Sequence, residues 1–263
     1  MDVVVVTGST RGIGYGLVEA FLDLGCAVVV NGRSQASVDR AVVRLAERHD
    51  AGRVMGYPAD VGDFEAVQGL WDATVARFGR VDVWINNAGL GNPQRSFWEH
   101  PPDRIAGVVN ANVLGVMFGA KVALRGMLDQ GGGSLYNMEG LGSDGRTVPG
   151  LTLYGTTKAS LRYFTEGLIA ETRGTPVRVG ALSPGMVVTN LLTGQYERDS
   201  EAWQRAKRIF NILADRVETV APWLAKRVLE NRKHGARIRW LMTPKVIWRF
   251  VSSPFRDRNV VDP

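Results

Sequence analysis

Tyr154 and Lys158 stand one helical turn apart in the run Tyr154-Gly155-Thr156-Thr157-Lys158. Positions i and i+4 share a helix face, so the lysine ammonium can lie near the phenol and favour its ionised form. The pair is a candidate proton donor. A free tyrosine titrates near ~10, and each unit removed from that value corresponds to about 1.4 kcal/mol of differential stabilisation. A tyrosine that releases its proton near neutral pH therefore needs a fixed cation beside it. The same spacing occurs on many helices without a catalytic role, so its meaning depends on a second feature. That feature is the run Thr7-Gly8-Ser9-Thr10-Arg11-Gly12-Ile13-Gly14, far upstream.

Just before it, Val3-Val4-Val5-Val6 is a β-branched run too short for a helix and suited to a parallel strand buried on both faces. Gly8, Gly12 and Gly14 let the backbone turn sharply and approach a pyrophosphate. A helix starting near Gly12 offers unpaired N–H groups and the positive end of its dipole. A glycine-rich turn without a ligand is the plainer reading, and the strand–loop–helix context is what argues for a nucleotide.

Downstream, short apolar runs alternate with helical periodicity, the pattern of an α/β doubly wound parallel sheet with helices on both faces. The spacing predicts further strands at Val28 to Val30, Val54 to Tyr57, Val81 to Asn86, Gly133 to Asn137 and Val177 to Leu182, and a last one at Ile238 to Met242. It predicts helices over Leu17 to Leu24, Ser37 to Arg48, Phe64 to Phe78, Pro102 to Leu128 and Leu153 to Thr172, each long enough for a crossover. Residues from about 189 to 221 interrupt the alternation with a charged helical insertion, a candidate lid, and a basic aromatic region follows from about 222 to 263. The 263 residues fit a single domain.

Five stretches now fall in one order: Thr7 to Gly14, Asn86-Asn87-Ala88-Gly89, Asn112, the Tyr154/Lys158 pair, and Pro184-Gly185 followed by Thr189. In that order the chain resembles the short-chain dehydrogenases/reductases over roughly residues 3 to 195. The resemblance implies a Rossmann fold, a nicotinamide cofactor, a small-molecule carbonyl substrate and a homodimer or homotetramer. It implies Tyr154 as proton donor, Lys158 on the nicotinamide ribose, and Asn112 as holder of a water linking Lys158 to bulk solvent. An asparagine that only bends its helix is the alternative for Asn112. The cofactor-binding set implied is Gly8, Ser9, Thr10, Arg11, Gly12, Ile13, Gly14, Asp60, Val61, Asn87, Ala88, Gly89, Tyr154, Lys158, Pro184, Gly185 and Thr189. Asp60 and Val61 would meet the adenine, although Asp60 would serve equally as a helix cap.

The end of the second strand bears on which cofactor. An acidic residue there would bind the ribose 2′-hydroxyl of NAD, whereas this chain reads Asn31-Gly32-Arg33-Ser34. NADP(H) is expected. Arg33 offers a fork of donors to a 2′-phosphate, Ser34 a hydroxyl and Arg11 a second positive charge. A solvated loop arginine is the alternative for Arg33.

One departure from the family pattern narrows the reading. The fifth strand of these enzymes usually runs into a pair of serines, the second of which bonds the substrate carbonyl; here Glu139 and Gly140 stand in their place. Ser143, on a glycine-rich loop, is the candidate carbonyl holder, with Glu139 or Asp144 as alternatives. The run Asn137-Met138-Glu139-Gly140-Leu141-Gly142-Ser143-Asp144-Gly145-Arg146 resembles the chlorophyll b reductases of the non-yellow-colouring-like kind, as does Leu182-Ser183-Pro184-Gly185-Met186-Val187-Val188-Thr189. Those enzymes reduce the C7 formyl group of chlorophyll(ide) b with NADPH, which implies a formyl tetrapyrrole as substrate. A bacterial relative is expected, because no plastid address precedes the first strand. Two readings stand beside this one: a general reductase of small ketones or acyl thioesters, and a non-catalytic NADPH-binding regulator.

Net charge is +6, and much of the excess lies in the C-terminal quarter, where Arg237, Arg239, Lys245, Arg249, Arg256 and Arg258 interleave with Trp240, Trp248, Phe250 and Phe255. Such a mixture suits an anionic partner: a peripheral membrane contact or a large aromatic carboxylate. A basic tail packed on a sister subunit is the bland alternative. No nucleic-acid recognition motif accompanies the charge. No apolar stretch of about 18 residues is expected to span a membrane, and the first strand begins so near Met1 that a cytoplasmic location is expected, with membrane association through the basic region as an option. No metal is expected, since His49, His100 and His234 lack ligand spacing, and the single Cys26 sits in an apolar run that favours a packed thiol.

Overall fold

Val3–Val6 forms strand β1 and is buried on both sides, with Val4 and Val6 in one apolar cluster and Val5 in another. That alternation follows from the two-residue period of a strand. The computed structural model describes residues 1–261 except 198, 199 and 257. Six further strands join β1: β2 (Ala27–Gly32), β3 (Val54–Pro58), β4 (Val83–Asn86), β5 (Gly133–Met138), β6 (Val177–Ser183) and β7 (Arg237–Arg239). They make one seven-stranded sheet in the order β3-β2-β1-β4-β5-β6-β7, parallel throughout. This is the doubly wound α/β architecture expected from the sequence.

Helices cover both faces. On one lie α1 (Gly12–Asp23), α2 (Gln35–Ala46) and α9 (Val217–Glu230); on the other α3 (Phe64–Phe78), α5 (Gly115–Asp129) and α6 (Thr152–Glu171). The bounds of α3 match the sequence expectation because both ends are signalled locally. The Asp63 carboxylate accepts from the Glu65 and Ala66 N–H groups, and Gly79 ends the helix at φ 84°.

The expected single helix from Pro102 is divided. α4 (Pro102–Val109) passes through a π turn at Asn110–Leu114 into α5. The whole run Pro102–Asp129 is, against expectation, long and apolar enough to cross a membrane by length and composition. Its Val116, Ala120, Ala123 and Met127 are nevertheless buried, and Ala120, Ala123 and Met127 pack with α3 and the sheet, which is the setting of a core helix.

The lid also differs from its expected extent. It consists of α7 (Asn190–Thr193) and α8 (Glu201–Leu213), the latter docked through Trp203, Ala206 and Phe210 onto Met186, Val188 and Leu192. The expected boundary near Ala221 runs too far, because α9 belongs to the main core: Val220, Ala221, Leu224 and Ala225 are fully buried. Strand β7 is shorter than expected, and a helix not foreseen there, α10 (Thr243–Ser252), starts with a proline in its first turn.

Much of the C-terminal charge is paired. The buried Asp215 carboxylate accepts from Trp240 Nε1 at 2.6 Å, from Arg249 at 2.7 Å and from Arg258 at 2.9 Å. The same two guanidinium groups donate to the Leu213, Ile212 and Ala214 carbonyl oxygens at the end of α8. This clamp satisfies helix-end carbonyls that would otherwise lack donors and ties the C-terminal segment to the lid. Arg237, in turn, pairs with Glu139 and Glu166.

α1 and α9 approach closely at Gly16, where a Cβ would fall 2.3 Å from Val217 Cγ1 and 3.0 Å from Ala221 Cβ. Replacing Gly16 with leucine should therefore lower stability by about 1–3 kcal/mol, the usual cost of overpacking. Urea denaturation would measure it, and an unchanged midpoint would show that the interface can yield at this point.

Candidate active site

The cofactor loop is built on backbone contacts that side chains would block. Gly8, at φ 63°, lies against Ala88, and a Cβ there would fall 2.7 Å from Ala88 Cα. A Cβ at Gly14 would meet Asn87 Nδ2 at 2.5 Å and the Gly8 carbonyl oxygen at 2.6 Å. The N-terminus of α1 carries no side-chain cap, so its N–H groups face an open cradle of the shape a pyrophosphate fills. Thr189, at the start of α7, stands 3.4 Å from the Cβ position of Gly12, which brings the base of the lid to the loop. Pro184 is buried beside it, and Gly185 turns at φ 72°.

Several residues of the expected cofactor set act as braces. Ser9 is buried; its hydroxyl donates to the Val6 carbonyl oxygen and accepts from the Asn31 N–H. Asn87 donates to the Thr7 and Gly8 carbonyl oxygens, while Thr7 Oγ1 accepts from the Asn87 and Ala88 N–H groups. Asn31, which sequence reasoning passed over, accepts from Gly8 N and donates to the Tyr57 and Ala59 carbonyl oxygens. Arg11, Arg33 and Ser34 are exposed, and Gly32, just before Arg33, has its Cβ position 2.5 Å from Thr10 of the loop. Asp60 is exposed and accepts from Gly62 N, so it closes a turn and leaves capping of α3 to Asp63. Val61 is buried against Gly115 of α5.

Tyr154 and Lys158 lie on the first turns of α6, both buried. The Lys158 ammonium is 5.9 Å from the Tyr154 ring centroid and donates to the Met138 carbonyl oxygen at 3.0 Å. The sequence expectation of a depressed phenol does not hold for the chain by itself. Burial pushes Tyr154 up to about 12, while the ammonium donates to the Met138 carbonyl oxygen at the end of β5. Burial also draws Lys158 down to about 8, a fall that the Glu139 carboxylate opposes.

Asn112 is fully buried in the π turn. Its Oδ1 accepts from Leu90 N, and its amide donates to the Leu90 carbonyl oxygen and to Thr157 Oγ1, which donates on to the Tyr154 carbonyl oxygen. Asn92, also missed from sequence, accepts from the Tyr154 N–H and donates to the Gly150 carbonyl oxygen. It satisfies a helix-end N–H from 62 positions away, a pairing with no local signal.

Ser143 differs from expectation. Its hydroxyl donates to the Lys158 carbonyl oxygen and accepts from Gly140 N, both at 3.1 Å, so it braces the turn and is not directed at a carbonyl beside Tyr154. Asp144 is exposed and paired with Arg146. The residue facing the phenol is Gly140, whose Cβ position is 2.6 Å from Tyr154 Oη. Met138 at the end of β5 and Phe210 of α8 are buried, whereas Leu191 of α7 is exposed.

The short-chain dehydrogenase family model matches residues 2–200. The chain belongs to that family. Its enzyme class is accordingly that of the short-chain dehydrogenases. Among curated proteins it is 34% identical over 270 residues to a probable chlorophyll(ide) b reductase, NYC1, of Arabidopsis thaliana, covering 96% of this chain and 53% of that protein. It is 36% identical over 230 residues to the chlorophyll(ide) b reductase NOL of Oryza sativa, covering 86% and 66%. The chain thus spans half to two thirds of the length of these relatives. In fold it is similar to a 3-ketoacyl-(acyl-carrier-protein) reductase of Brucella melitensis solved with NADH (TM-score 0.78, 24% identity, 91% and 96% covered). A gluconate 5-dehydrogenase of Burkholderia cenocepacia solved with NADP and tartrate is also similar (TM-score 0.75, 24% identity, 90% and 93% covered).

Within this family site, Glu139 is the unusual group. Burial pushes its carboxyl up, with Arg237, Arg239 and Arg162 opposing, and Arg237 Nε lies 2.9 Å from its Oε1. The carboxylate helps to keep Lys158 protonated. As pH rises through about 8 the lysine loses its charge, so kcat/KM for carbonyl reduction should fall on that alkaline limb. In Glu139→Gln the supporting anion is gone and the limb should move to lower pH. Superimposable pH profiles for the two proteins would refute the electrostatic link.

Proposed function

We propose that the protein uses NADPH to reduce the formyl group of chlorophyll(ide) b, or of a closely similar formyl tetrapyrrole, to a hydroxymethyl group. The observation that carries this reading is Gly140 facing the Tyr154 hydroxyl, on a loop that resembles the chlorophyll b reductases, together with relatives of that name at 34 and 36% identity. With no side chain at that position, the Tyr154 hydroxyl packs directly against the Gly140 backbone, and the serine that would clamp the carbonyl of a small ketone is absent. Bound NADPH supplies the hydride. Tyr154 gives its proton to the carbonyl oxygen, Lys158 holds the nicotinamide ribose and lowers the cost of the phenolate, and Asn112 uses the second lone pair of Oδ1 to hold the water that returns a proton from solvent. Ser143 keeps the turn that presents Gly140. The same reading has the chain working as a homodimer or homotetramer in the cytoplasm, with exposed Leu114, Leu128 and Tyr163 on the helical face as contact groups.

Arg33, Ser34 and Arg11 would hold the 2′-phosphate. All three are exposed and no carboxylate stands at the end of β2, so an added phosphate meets donors and no like charge. NADPH should then bind more tightly than NADH by roughly tenfold or more, a difference of about 1.4 kcal/mol. Arg33→Asp should reverse the order. Titration by quenching of tryptophan fluorescence would return equal affinities if the argument is wrong.

The substrate is tested with chlorophyllide b in detergent and NADPH, following the absorption change of a formyl group becoming an alcohol. Turnover should be found, with small ketones slower or inert, and Tyr154→Phe should lower kcat by about 10² to 10⁴, the range for one general acid. Rapid NADPH oxidation with acetoacetyl thioesters or simple ketones, and none with formyl tetrapyrroles, would replace this reading with that of a general carbonyl reductase.

A further inference from the structure

Helix α10 is turned inside out. Lys245, Arg249 and Ser252, at helical spacing, face the body of the protein, where Arg249 reaches Asp215 and Lys245 stands over the Trp240 ring at 3.3 Å. The opposite side presents Ile247 (58% exposed), Phe250 (47%) and Val251 (64%), flanked by Trp248 (58%) and continued by Phe255 (89%). A helix on a water-soluble surface normally buries such residues and exposes its charges. Here the Asp215 clamp fixes the polar side inward and leaves the apolar side chains exposed.

Beside this face is a surface pocket of about 340 Å³ whose wall includes Arg208, Arg249, Arg256, Arg258, Asn211 and Ser252. Four arginines line it, and the one carboxylate paired with any of them is Asp215 among the described residues. Arg208 and Arg256 have no carboxylate partner among those residues. The Arg256 guanidinium lies over the Trp248 ring, 5.8 Å from its centroid, so the basic pocket and the apolar face form one continuous surface.

We propose that α10 and this arginine pocket form a docking surface for an anionic lipid bilayer, the apolar side chains entering the acyl boundary and the pocket receiving a lipid phosphate. Charge complementarity decides between this occupant and a second copy of the chain. A two-fold contact buries the same patch of both copies and would gather eight arginines into one interface with the two Asp215 carboxylates as the paired acids described there, whereas an anionic leaflet attracts such a cation-rich patch. Tryptophan and arginine side by side are also the groups that settle at the headgroup level. The surface includes the outer side of the lid helix, and the proposal does not depend on which carbonyl compound is reduced.

The test is flotation of the full chain with vesicles of phosphatidylcholine alone or of equimolar phosphatidylcholine and phosphatidylglycerol. Binding should be confined to the anionic vesicles and should weaken as salt rises. Trp248→Ser with Phe250→Ser should abolish it, and Arg208→Glu with Arg256→Glu should reduce it by at least the roughly fivefold expected for each basic residue near an anionic surface. All four positions lie on the surface, so NADPH binding should be unchanged and serves as the check on folding. Equal binding to both vesicle types, no binding to either, or binding indifferent to these substitutions would overturn the proposal. A chain that sediments as a dimer and becomes monomeric on Trp248→Ser with Phe250→Ser would assign the face to a second copy instead.

Discussion

An ammonium group held out of water is the constraint around which this site is arranged. Taking a charge such as that of Lys158 into the protein costs on the order of several kcal/mol unless partners replace its hydration. The first replacement is the Met138 carbonyl oxygen at 3.0 Å. The second is electrostatic, the Glu139 carboxylate, itself buried and needing support from Arg237 on β7. Arg237 is shared with Glu166 of α6. Charges thus alternate in sign across α6, the end of β5 and β7. The outermost strand, which supplies only three residues to the sheet, is therefore coupled to the catalytic helix.

Such an arrangement requires α6 to sit in one position, and a buried polar ladder sets it. Trp84 Nε1 donates to Asn86 Oδ1, Asn86 Nδ2 donates to Asn137 Oδ1, and Asn137 Nδ2 donates to Thr165 Oγ1 on α6. Thr165 passes its own hydrogen to the Leu161 carbonyl oxygen. A buried network of this kind has one arrangement in which its members are all satisfied, so it determines register in a way apolar contacts alone do not. Room for it comes from Gly119 of α5, where a Cβ would fall 2.1 Å from Asn86 Oδ1. The Asn86-Asn87 stretch is thus in large part scaffold, Asn86 in this ladder and Asn87 bracing the loop after β1.

How far the sequence foretold this depends on how local each signal is. β1 was legible because four consecutive valines leave no amphipathic choice, and α3 because Asp63 and Gly79 mark its ends. Tyr154 and Lys158 needed only a helical period. The pairing of Asn92 with the Tyr154 N–H, the Asp215 clamp and the reach of Glu139 to Arg237 are contacts between distant segments, each invisible in its own neighbourhood. The lid ran too long in the sequence reading because the charged face of α9 resembles that of α8. The burial of Val220, Ala221, Leu224 and Ala225 and the meeting of Gly16 with Val217 show that α9 completes the core. Ser143 was chosen for its hydroxyl and its flexible loop, but that loop is closed by the hydroxyl itself.

The exchange of a serine pair for Glu139 and Gly140 moves a polar group from one side of the reacting centre to the other. A serine beside the phenol would donate to the substrate oxygen as charge develops on it, an effect commonly worth about 10²- to 10³-fold in rate. Gly140 removes that donor and leaves the Tyr154 hydroxyl as the group facing the site there, while Glu139 strengthens the cation behind it. The phenol must then carry more of the polarisation, aided by a lysine held in its charged form. A ketone, with two electron-releasing substituents, needs strong polarisation before it accepts hydride. An aldehyde, with one such substituent, needs less. The site gives up an oxygen-binding donor beside the phenol and gains a carboxylate that supports the lysine behind it.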